Sequence, residues 1–346
     1  NSFSWFLVCR FGLGFAIGGS LAIDVIYFVE FVPSQKRGVR TTVIILFGIL
    51  AYFFTAAIGK YILPISWRWF IAAAGAPNAL VLIGRLFWRW ESPRFLLNQG
   101  KVQEATRVLE RMSKANGRSL PSGSLAATNL KIETSTNSKE KDKPWWSIFA
   151  DFKRVGLLLP VITMGLLFFG QTFGYYGLVI WTRDLIAAKG IQLDPCFLFL
   201  IIGLAELPGL LFTSFLIETR GRRLVTLMNF TGSAVSALLL VFVEGRTSFI
   251  LVNGLIYFFI VGSWTSLYVS TPEMFPTSVR ASAFTTASCC GKLAGFLSPI
   301  LFQALWHRQV APVWILAIVA SSFIMAAVTT GALFVETAGK RLQDHL

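Results

Sequence analysis

The chain has 346 residues, of which 55% are hydrophobic and only 14% are charged, and its mean hydropathy is +0.65. Soluble domains carry about 25% charged residues, so this composition excludes an ordinary soluble domain and indicates an integral membrane protein. The formal net charge of +14 is compatible with a nucleic-acid partner, but the placement of the basic residues, described below, argues against one.

Nine apolar stretches follow one another along the chain. A helix rises about 1.5 Å per residue, so about twenty residues cross the roughly 30 Å of hydrocarbon in a bilayer. We therefore predict nine membrane helices, near residues 5–31, 41–62, 68–90, 155–180, 196–217, 224–243, 247–271, 282–304 and 311–335.

One pattern, Glu-x-x-Pro-x-x-x-Arg, occurs twice where predicted membrane helices end. The first copy begins at Glu30 and the second at Glu273, 243 positions later. Internal duplication of membrane helices is typical of secondary transporters. The offset between the copies places three further helices before Asn1. We therefore expect a fold of six plus six helices, of which this chain holds helices 4–12.

The only long polar segment joins the two halves of this arrangement. We expect residues 1–90 to form helices 4–6 of the first half, residues 91–153 to form a linker, and residues 154–346 to form the six helices of the second half. Within the linker, Lys101 to Ala115 place their apolar residues on one face, which predicts a short amphipathic helix.

The rest of the linker has a different composition. From Ser119 to Lys143 it is rich in Ser, Thr, Asn and Lys, with too little apolar surface to offset chain entropy, and we predict disorder there. Trp145 and Trp146 follow at the expected membrane interface.

Most of the 31 Lys and Arg residues lie in alternate loops, on one side of the predicted membrane. Cytoplasmic loops carry such an excess of basic residues. Both copies of the repeated pattern and the C-terminus are therefore predicted to be cytoplasmic, and the basic charge needs no nucleic acid to explain it.

Carboxylates and cations from both halves gather at this predicted cytoplasmic side. We expect them to form bridges between the halves that hold a gate closed and break when it opens; the alternative is that they only anchor helix ends at the lipid headgroups. The expected gate residues are Glu30, Arg37, Glu91 and Arg94 of the first half and Glu218, Arg220, Arg222, Arg223, Glu273, Arg280, Glu336 and Lys340 of the second.

Four ionisable residues fall inside predicted membrane helices, where charge is costly and usually functional. They are Arg10, Asp24, Glu206 and Lys292. We expect them to line the substrate pathway. The alternative is that the two acids and two bases pair with one another as structural ion pairs.

Aromatic residues predict the remaining walls of a substrate cavity. Tyr175 and Tyr176 lie among glycines 170, 174 and 177, which are expected to let the helix bend and carry the pair as an outer gate. The other expected contacts are Gln171, Tyr257, Trp264 and Tyr268. The alternative for each ring is packing or lipid contact.

Taken together and in this order, several motifs resemble the major facilitator superfamily, in the branch that contains synaptic-vesicle-2-related proteins and organic cation and anion transporters. The motifs are Arg10-Phe11-Gly12-Leu13-Gly14-Phe15 with Gly18-Gly19, the two repeated patterns, Glu91-Ser92-Pro93-Arg94, Tyr175-Tyr176-Gly177-Leu178, Glu206-Leu207-Pro208-Gly209, Gly221-Arg222-Arg223 and Glu336-Thr337-x-Gly339-Lys340.

The resemblance implies roles for particular residues. In similar proteins helices 1, 4, 7 and 10 line the site, a residue placed like Arg10 faces an acidic residue on helix 1, and a cation on helix 11 meets the substrate. Lys292 holds that last position here. It favours an anionic or zwitterionic substrate over a sugar, because a sugar site needs amides and hydroxyls.

The sequence therefore predicts a multi-pass membrane protein that moves small organic ions by alternating access and leaves proton coupling open. The alternatives are a facilitative sugar or polyol porter and a non-transporting receptor of the same fold. No enzyme motif, cofactor loop or metal-ligand spacing occurs in the sequence. We expect a monomer in the plasma membrane or an internal vesicle or vacuolar membrane.

Overall fold

A computed structural model describes residues 3–33, 36–87, 90–120, 152, 156–276 and 279–337. In these ranges the chain is helical, and nine of the helices are long and apolar enough to cross a membrane, as predicted. Lys340, Trp145, Trp146 and residues 121–143 of the segment predicted to be disordered lie outside the described residues.

The membrane helices of the first half are α1 (Phe3–Phe31), α3 (Val43–Ile62) and α4 (Trp67–Phe87), with the short α2 (Arg37–Thr41) leading into α3; α5 (Pro93–Asn98) and α6 (Val102–Asn116) follow. The second half holds α7 (Leu158–Val179), the short α8 (Thr182–Ala188), α9 (Pro195–Thr219), α10 (Arg222–Leu239) with a 3₁₀ turn at Leu240–Phe242, α11 (Arg246–Met274), α12 (Arg280–His307) and α13 (Pro312–Leu333).

The described helices divide into two compact units, residues 1–70 with 152–346 and residues 71–151. In the first unit α7 packs against α12 and α13, α10 packs against α11 and α13, and α9 packs against α11 and α3. The contact of α9 with α3 joins the second half of the repeat to the first.

Glycines let α7 approach its neighbours closely. At Gly170 an added Cβ would stand 2.7 Å from the backbone oxygen of Ser322 on α13, and at Gly177 it would stand 2.6 Å from the ring of Phe302 on α12. The helix runs unbroken from Leu158 to Val179. These glycines allow close helix packing, for which small residues are typical in membranes, while the bend and the outer gate stay predictions.

In the second unit α5 and α6 contact each other. Ser92 caps α5 by accepting a hydrogen bond from the backbone N–H of Phe95, and Pro93 occupies the first turn. Ala105 and Val108 form the buried face of α6, which ends where Gly117 adopts a left-handed conformation.

The short helices α5 and α8 were not predicted, and α9, α11 and α12 extend beyond the predicted spans. Hydropathy marks the hydrocarbon core, whereas helices continue until a cap ends them. At α9 this cap is Asp194, whose side chain accepts a hydrogen bond of 2.7 Å from the backbone N–H of Cys196.

The packing of α7 yields the first prediction. Gly170→Ala should destabilise the protein by about 1–3 kcal/mol, because the backbone of Ser322 cannot move as a side chain can. Gly331→Ala on α13 is the matched control, since nothing lies within 4 Å of its added Cβ. The midpoint of thermal unfolding in detergent should fall for the first variant and not for the control; equal midpoints would contradict the packing described.

Candidate functional site

A cavity of about 430 Å³ lies where α3 of the first half meets α7, α9 and α11 of the second. A volume of this size suits a small organic molecule. The cavity is lined by Ile44, Ile45, Gly48, Ile49, Ala51, Tyr52 and Thr55 of α3, Tyr175 of α7, Phe199 and Glu206 of α9, and Val261, Trp264 and Tyr268 of α11.

Two tyrosines meet across this junction. The hydroxyl oxygens of Tyr52 and Tyr175 are 2.5 Å apart, and one hydroxyl donates to the other. Because Tyr52 belongs to the first half and Tyr175 to the second, this hydrogen bond links the halves at the cavity wall.

Aromatic rings from α3, α7, α9 and α11 line much of the rest of the cavity. Trp264 stacks on Tyr268 at a centroid distance of 5.5 Å and an angle of 16°, and it meets Tyr175 edge to face at 6.3 Å and 84°. On the α9 side, Phe199 stacks against Tyr52 at 6.1 Å. Such ring faces attract cations and flat apolar groups.

Glu206 supplies the acidic group of the cavity lining, and the lining residues include no Lys, Arg or His. The residue is 5% exposed. Within the part of the chain that the structure describes, it has no hydrogen-bond or ion-pair partner. A carboxylate in apolar surroundings is costly unless it is neutralised, so the site favours a cationic group or a proton beside Glu206.

Four of the predicted pathway residues line the cavity, namely Tyr175, Glu206, Trp264 and Tyr268. Gln171 is fully buried behind it, where its side-chain nitrogen donates to the backbone oxygen of Ile260 at 3.1 Å.

The other five predicted pathway residues do not line it either. Tyr257 is fully buried on α11, and Tyr176 stands beside Gly295 of α12 with 39% of its surface exposed. Lys292 is exposed on α12.

The last two lie on α1. Arg10 is exposed there, with its guanidinium 5.2 Å from the centre of the Phe6 ring, and Asp24 is half-buried on the same helix. Their expected role in the substrate pathway stays a prediction.

The sequence reading missed the wall contributed by α3. Its residues recur at helical spacing, Ile45, Ile49, Tyr52 and Thr55, so they share one face. The signal was available, because Tyr52 and Thr55 place two hydroxyls on the same face of an otherwise apolar helix.

A second cluster lies where α9 ends and α10 begins, called here the charged end. The Arg222 guanidinium contacts the carboxylate of Glu273 through Nε at 3.1 Å and Nη2 at 3.3 Å. It also lies 3.4 Å from Glu218. Arg222 is thus held by two carboxylates of the second half, with its charge compensated on burial.

Glu336 completes this cluster. Its carboxylate accepts hydrogen bonds from the backbone N–H groups of Arg222 at 2.9 Å and Arg223 at 3.0 Å, at the first turn of α10. Anions are stabilised at this end of a helix. Thr337 connects Glu336 to Glu273, because its own N–H donates to Glu336 and its hydroxyl donates to Glu273 at 3.0 Å.

The first half reaches the charged end through α2. A Cβ added at Gly38 would stand 2.6 Å from a carboxylate oxygen of Glu218 and 3.4 Å from Nη2 of Arg222. Arg37, beside it, is buried. Arg280 is 1% exposed and donates from Nε to the backbone oxygens of Pro272 and Phe275.

The other predicted gate residues are more exposed. Arg223 and Arg220 are exposed, Arg223 donates to the backbone oxygen of Gly331, and Glu30 is half-buried at the end of α1. In the unit of residues 71–151, Glu91 is exposed and Arg94 is half-buried. A gate that opens and closes at the charged end stays a prediction.

The tyrosine pair can be tested without a substrate. Tyr52→Phe or Tyr175→Phe should each cost about 0.5–1.5 kcal/mol, and the double variant should cost no more than either single one, because the same hydrogen bond is lost. Thermal unfolding in detergent measures the three values, with Tyr61→Phe on the exposed face of α3 as the control. Fully additive costs would show that the two hydroxyls do not interact.

Gly221 gives a prediction for the charged end. It adopts φ +88° before α10, and an added Cβ would stand 2.6 Å from the Glu336 carboxylate. Gly245 has φ +90° before α11 with open space around it. Each change to Ala carries a backbone cost of about 1 kcal/mol. Gly221→Ala should lower the unfolding midpoint further than Gly245→Ala, because it displaces Glu336; equal shifts would contradict this.

Comparison with known proteins agrees with this architecture. The chain is 28% identical over 99% of its length to the synaptic vesicle 2-related protein of Rattus norvegicus and spans 63% of that protein. It is 26% identical over its whole length to organic cation/carnitine transporter 7 of Arabidopsis thaliana, of which it covers 76%, and 30% identical over 89% of its length to the niacin transporter NiaP of Acinetobacter baylyi, of which it covers 67%.

Solved structures show the same fold. The proton:xylose symporter XylE, a major facilitator superfamily protein, matches 92% of this chain and 69% of its own with a TM-score of 0.68 at 20% identity. The sequence model of the family described as "Sugar (and other) transporter" matches residues 1–345. The chain therefore belongs to the sugar (and other) transporter family and has the major facilitator fold.

Proposed function

We propose that this protein is a secondary transporter that moves a small organic ion by alternating access through the cavity lined by α3, α7, α9 and α11. The observation that carries the proposal is the position of the cavity. It lies between helices of the two duplicated halves, and two of its hydroxyls, one from each half, form a hydrogen bond at its wall. Relative movement of the halves therefore changes the shape of the binding site directly.

The cavity favours a solute with a positively charged nitrogen, either a cation or a zwitterion. Glu206 offers the compensating charge, while Trp264 and Tyr268 offer ring faces at which a cation is worth about 0.5–2 kcal/mol per contact. The names of the relatives include organic cations, carnitine and niacin. The expected preference for an anion depended on Lys292, which is exposed on α12, so the zwitterionic half of that expectation fits the cavity better.

A sugar or polyol is a weaker candidate. Sugar hydroxyls are bound by amides and hydroxyls, and the lining offers four hydroxyls, those of Tyr52, Thr55, Tyr175 and Tyr268, but no Asn or Gln. Gln171, the predicted amide donor, is buried and donates to Ile260 instead.

A non-transporting receptor of the same fold would need neither a gate nor a translocated solute. Only a transport measurement separates the receptor from the transporter.

The arrangement in the membrane follows from the distribution of charge. We propose that the charged end faces the cytoplasm, with the C-terminus on the same side, because most Lys and Arg lie in the loops of that side. The plasma membrane and an internal vesicle or vacuolar membrane both fit this orientation.

Uptake into vesicles tests the function. The full-length protein, reconstituted into lipid vesicles, should take up a labelled organic cation or zwitterion saturably, and labelled sugars should compete poorly. A folded protein that moves none of a panel of cations, zwitterions, anions and sugars would favour the receptor.

A matched pair of tryptophans tests the path. Trp264→Ala should raise KM by about 2- to 30-fold, as expected for the loss of a cation–ring contact. Trp314→Ala on α13 is the control, because that ring is exposed on the outer surface of its helix and does not line the cavity. Equal KM values for both variants would place the solute elsewhere.

A further inference from the structure

We infer that α6 and the residues that follow it form a docking surface for anionic lipid headgroups on the predicted cytoplasmic side of the membrane. The surface consists of four basic residues, called here the basic stripe: Arg107, Arg111, Lys114 and Arg118. They belong to the unit of residues 71–151, whereas the cavity is lined by residues of the other unit. Lipid binding at the stripe therefore does not require a transported solute.

The first three residues of the basic stripe share one face of α6. Positions 107, 111 and 114 are four and three residues apart, which places them within about 60° of one another around the helix axis and along about 10 Å of its length. All three side chains are exposed, as is Arg118, which follows the left-handed cap at Gly117. The stripe is thus open to a partner.

The opposite, apolar face of α6 packs inside the protein. Ala105 is fully buried and Val108 is 9% exposed, while Leu96 of α5, the helix that contacts α6, is 3% exposed. An amphipathic helix commonly binds a membrane by burying its apolar face among the lipids. Because the centre of that face is already buried in this unit, the basic face is the part of α6 that remains for a membrane.

A well-defined turn holds α6 on α5. Gly100 adopts φ +75° after α5, and the backbone N–H groups of Gly100 and Lys101 donate to the oxygens of Leu97 and Leu96 at 2.9 Å each. This pair of hydrogen bonds ends α5 and sets the direction in which the chain leaves it. The start of α5 lies only six residues after Phe87, where the membrane helix α4 ends, a distance of no more than about 20 Å. The stripe is therefore held close to the membrane.

The charge of the basic stripe is not compensated within the described protein. Glu104 and Glu110 lie at its two margins, yet among the described residues no carboxylate comes within ion-pair distance of the four cations. Like charges at these spacings weaken a helix. Lys114 and Arg118 lie near the C-terminus of α6, where a helix favours cations, but the other two receive no such benefit.

Anionic lipids fit a short row of cations beside a membrane helix. The cytoplasmic leaflet carries a negative surface potential, and each Lys or Arg near the surface strengthens binding by about fivefold. Clusters of about four or more such residues next to a membrane helix are typical of proteins that bind anionic lipids. The field fades within a Debye length, about 8 Å at physiological ionic strength, so the partner must be adjacent to the stripe.

Hydrogen exchange in two kinds of lipid disc tests the docking. The full-length protein is placed in discs of phosphatidylcholine alone and in discs of phosphatidylcholine and phosphatidylserine at about three to one. Headgroups that bind the formed helix stabilise it, so the backbone amides of residues 102–116 should exchange at least about fivefold more slowly in the anionic discs. Equal exchange rates in the two discs would overturn the inference and leave the stripe to an acidic protein partner.

Salt separates headgroup binding from insertion of the apolar face. Raising the salt concentration from about 0.1 M to about 1 M shortens the Debye length from about 10 Å to about 3 Å. The difference in exchange between the two discs should then disappear. A difference that persists at high salt would overturn docking through the basic stripe, because it would show that α6 enters the membrane through apolar contacts.

A matched pair of double variants locates the surface. Arg107→Gln combined with Arg111→Gln removes two exposed charges and keeps good helix formers, so the fold should be retained while the slower exchange in anionic discs is lost. Arg183→Gln combined with Arg308→Gln removes the same charge from exposed positions that the alternation of the membrane helices places on the other side, and it should behave as the wild type. Wild-type slowing in the first double variant would overturn the assignment.

Discussion

The bilayer interior offers no water to a polar group, and this constraint orders the whole structure. At the charged end three charged side chains have polar partners. Arg222 lies between Glu218 and Glu273, Arg280 donates to backbone oxygens, and Glu336 accepts from the first turn of α10. Glu206 differs, because among the described residues only neutral groups surround it. Compensated and uncompensated carboxylates are thus separated along one helix, α9.

The duplicated halves meet at two levels of this helix bundle. At the charged end α2 brings Gly38 against Glu218, and at the cavity α3 brings Tyr52 against Tyr175. The first contact requires that position 38 has no side chain. The second is a single hydrogen bond between two tyrosine hydroxyls. At the cavity level Ile49 of α3 also packs into an apolar cluster with Leu210 of α9 and Val261 of α11, so the halves share apolar surface as well as these polar contacts.

Sequence reasoning located the membrane helices well because hydropathy is a local property, and a helix in hydrocarbon must be continuous. It also selected Tyr175, Glu206, Trp264 and Tyr268, since polar and aromatic residues stand out in apolar helices. It missed Tyr52, whose partner lies 123 residues away. The expectation that Lys292 meets the substrate stays a prediction, since Lys292 is exposed on α12 and does not line the cavity, and a position along a helix does not tell which way the side chain faces. Contacts between helices depend on rotation and tilt, which a single sequence does not encode locally.

Gln171 also connects α7 to α11. Its amide donates to the backbone oxygen of Ile260, the same oxygen that accepts the N–H of Trp264 in a regular helix. This turn of α11 is therefore hydrogen-bonded to α7, and Trp264, which lines the cavity, lies at the end of the same turn. Under the proposed alternating access we expect the Tyr175 hydroxyl and the Trp264 ring to shift together, because this hydrogen bond joins the two helices that carry them.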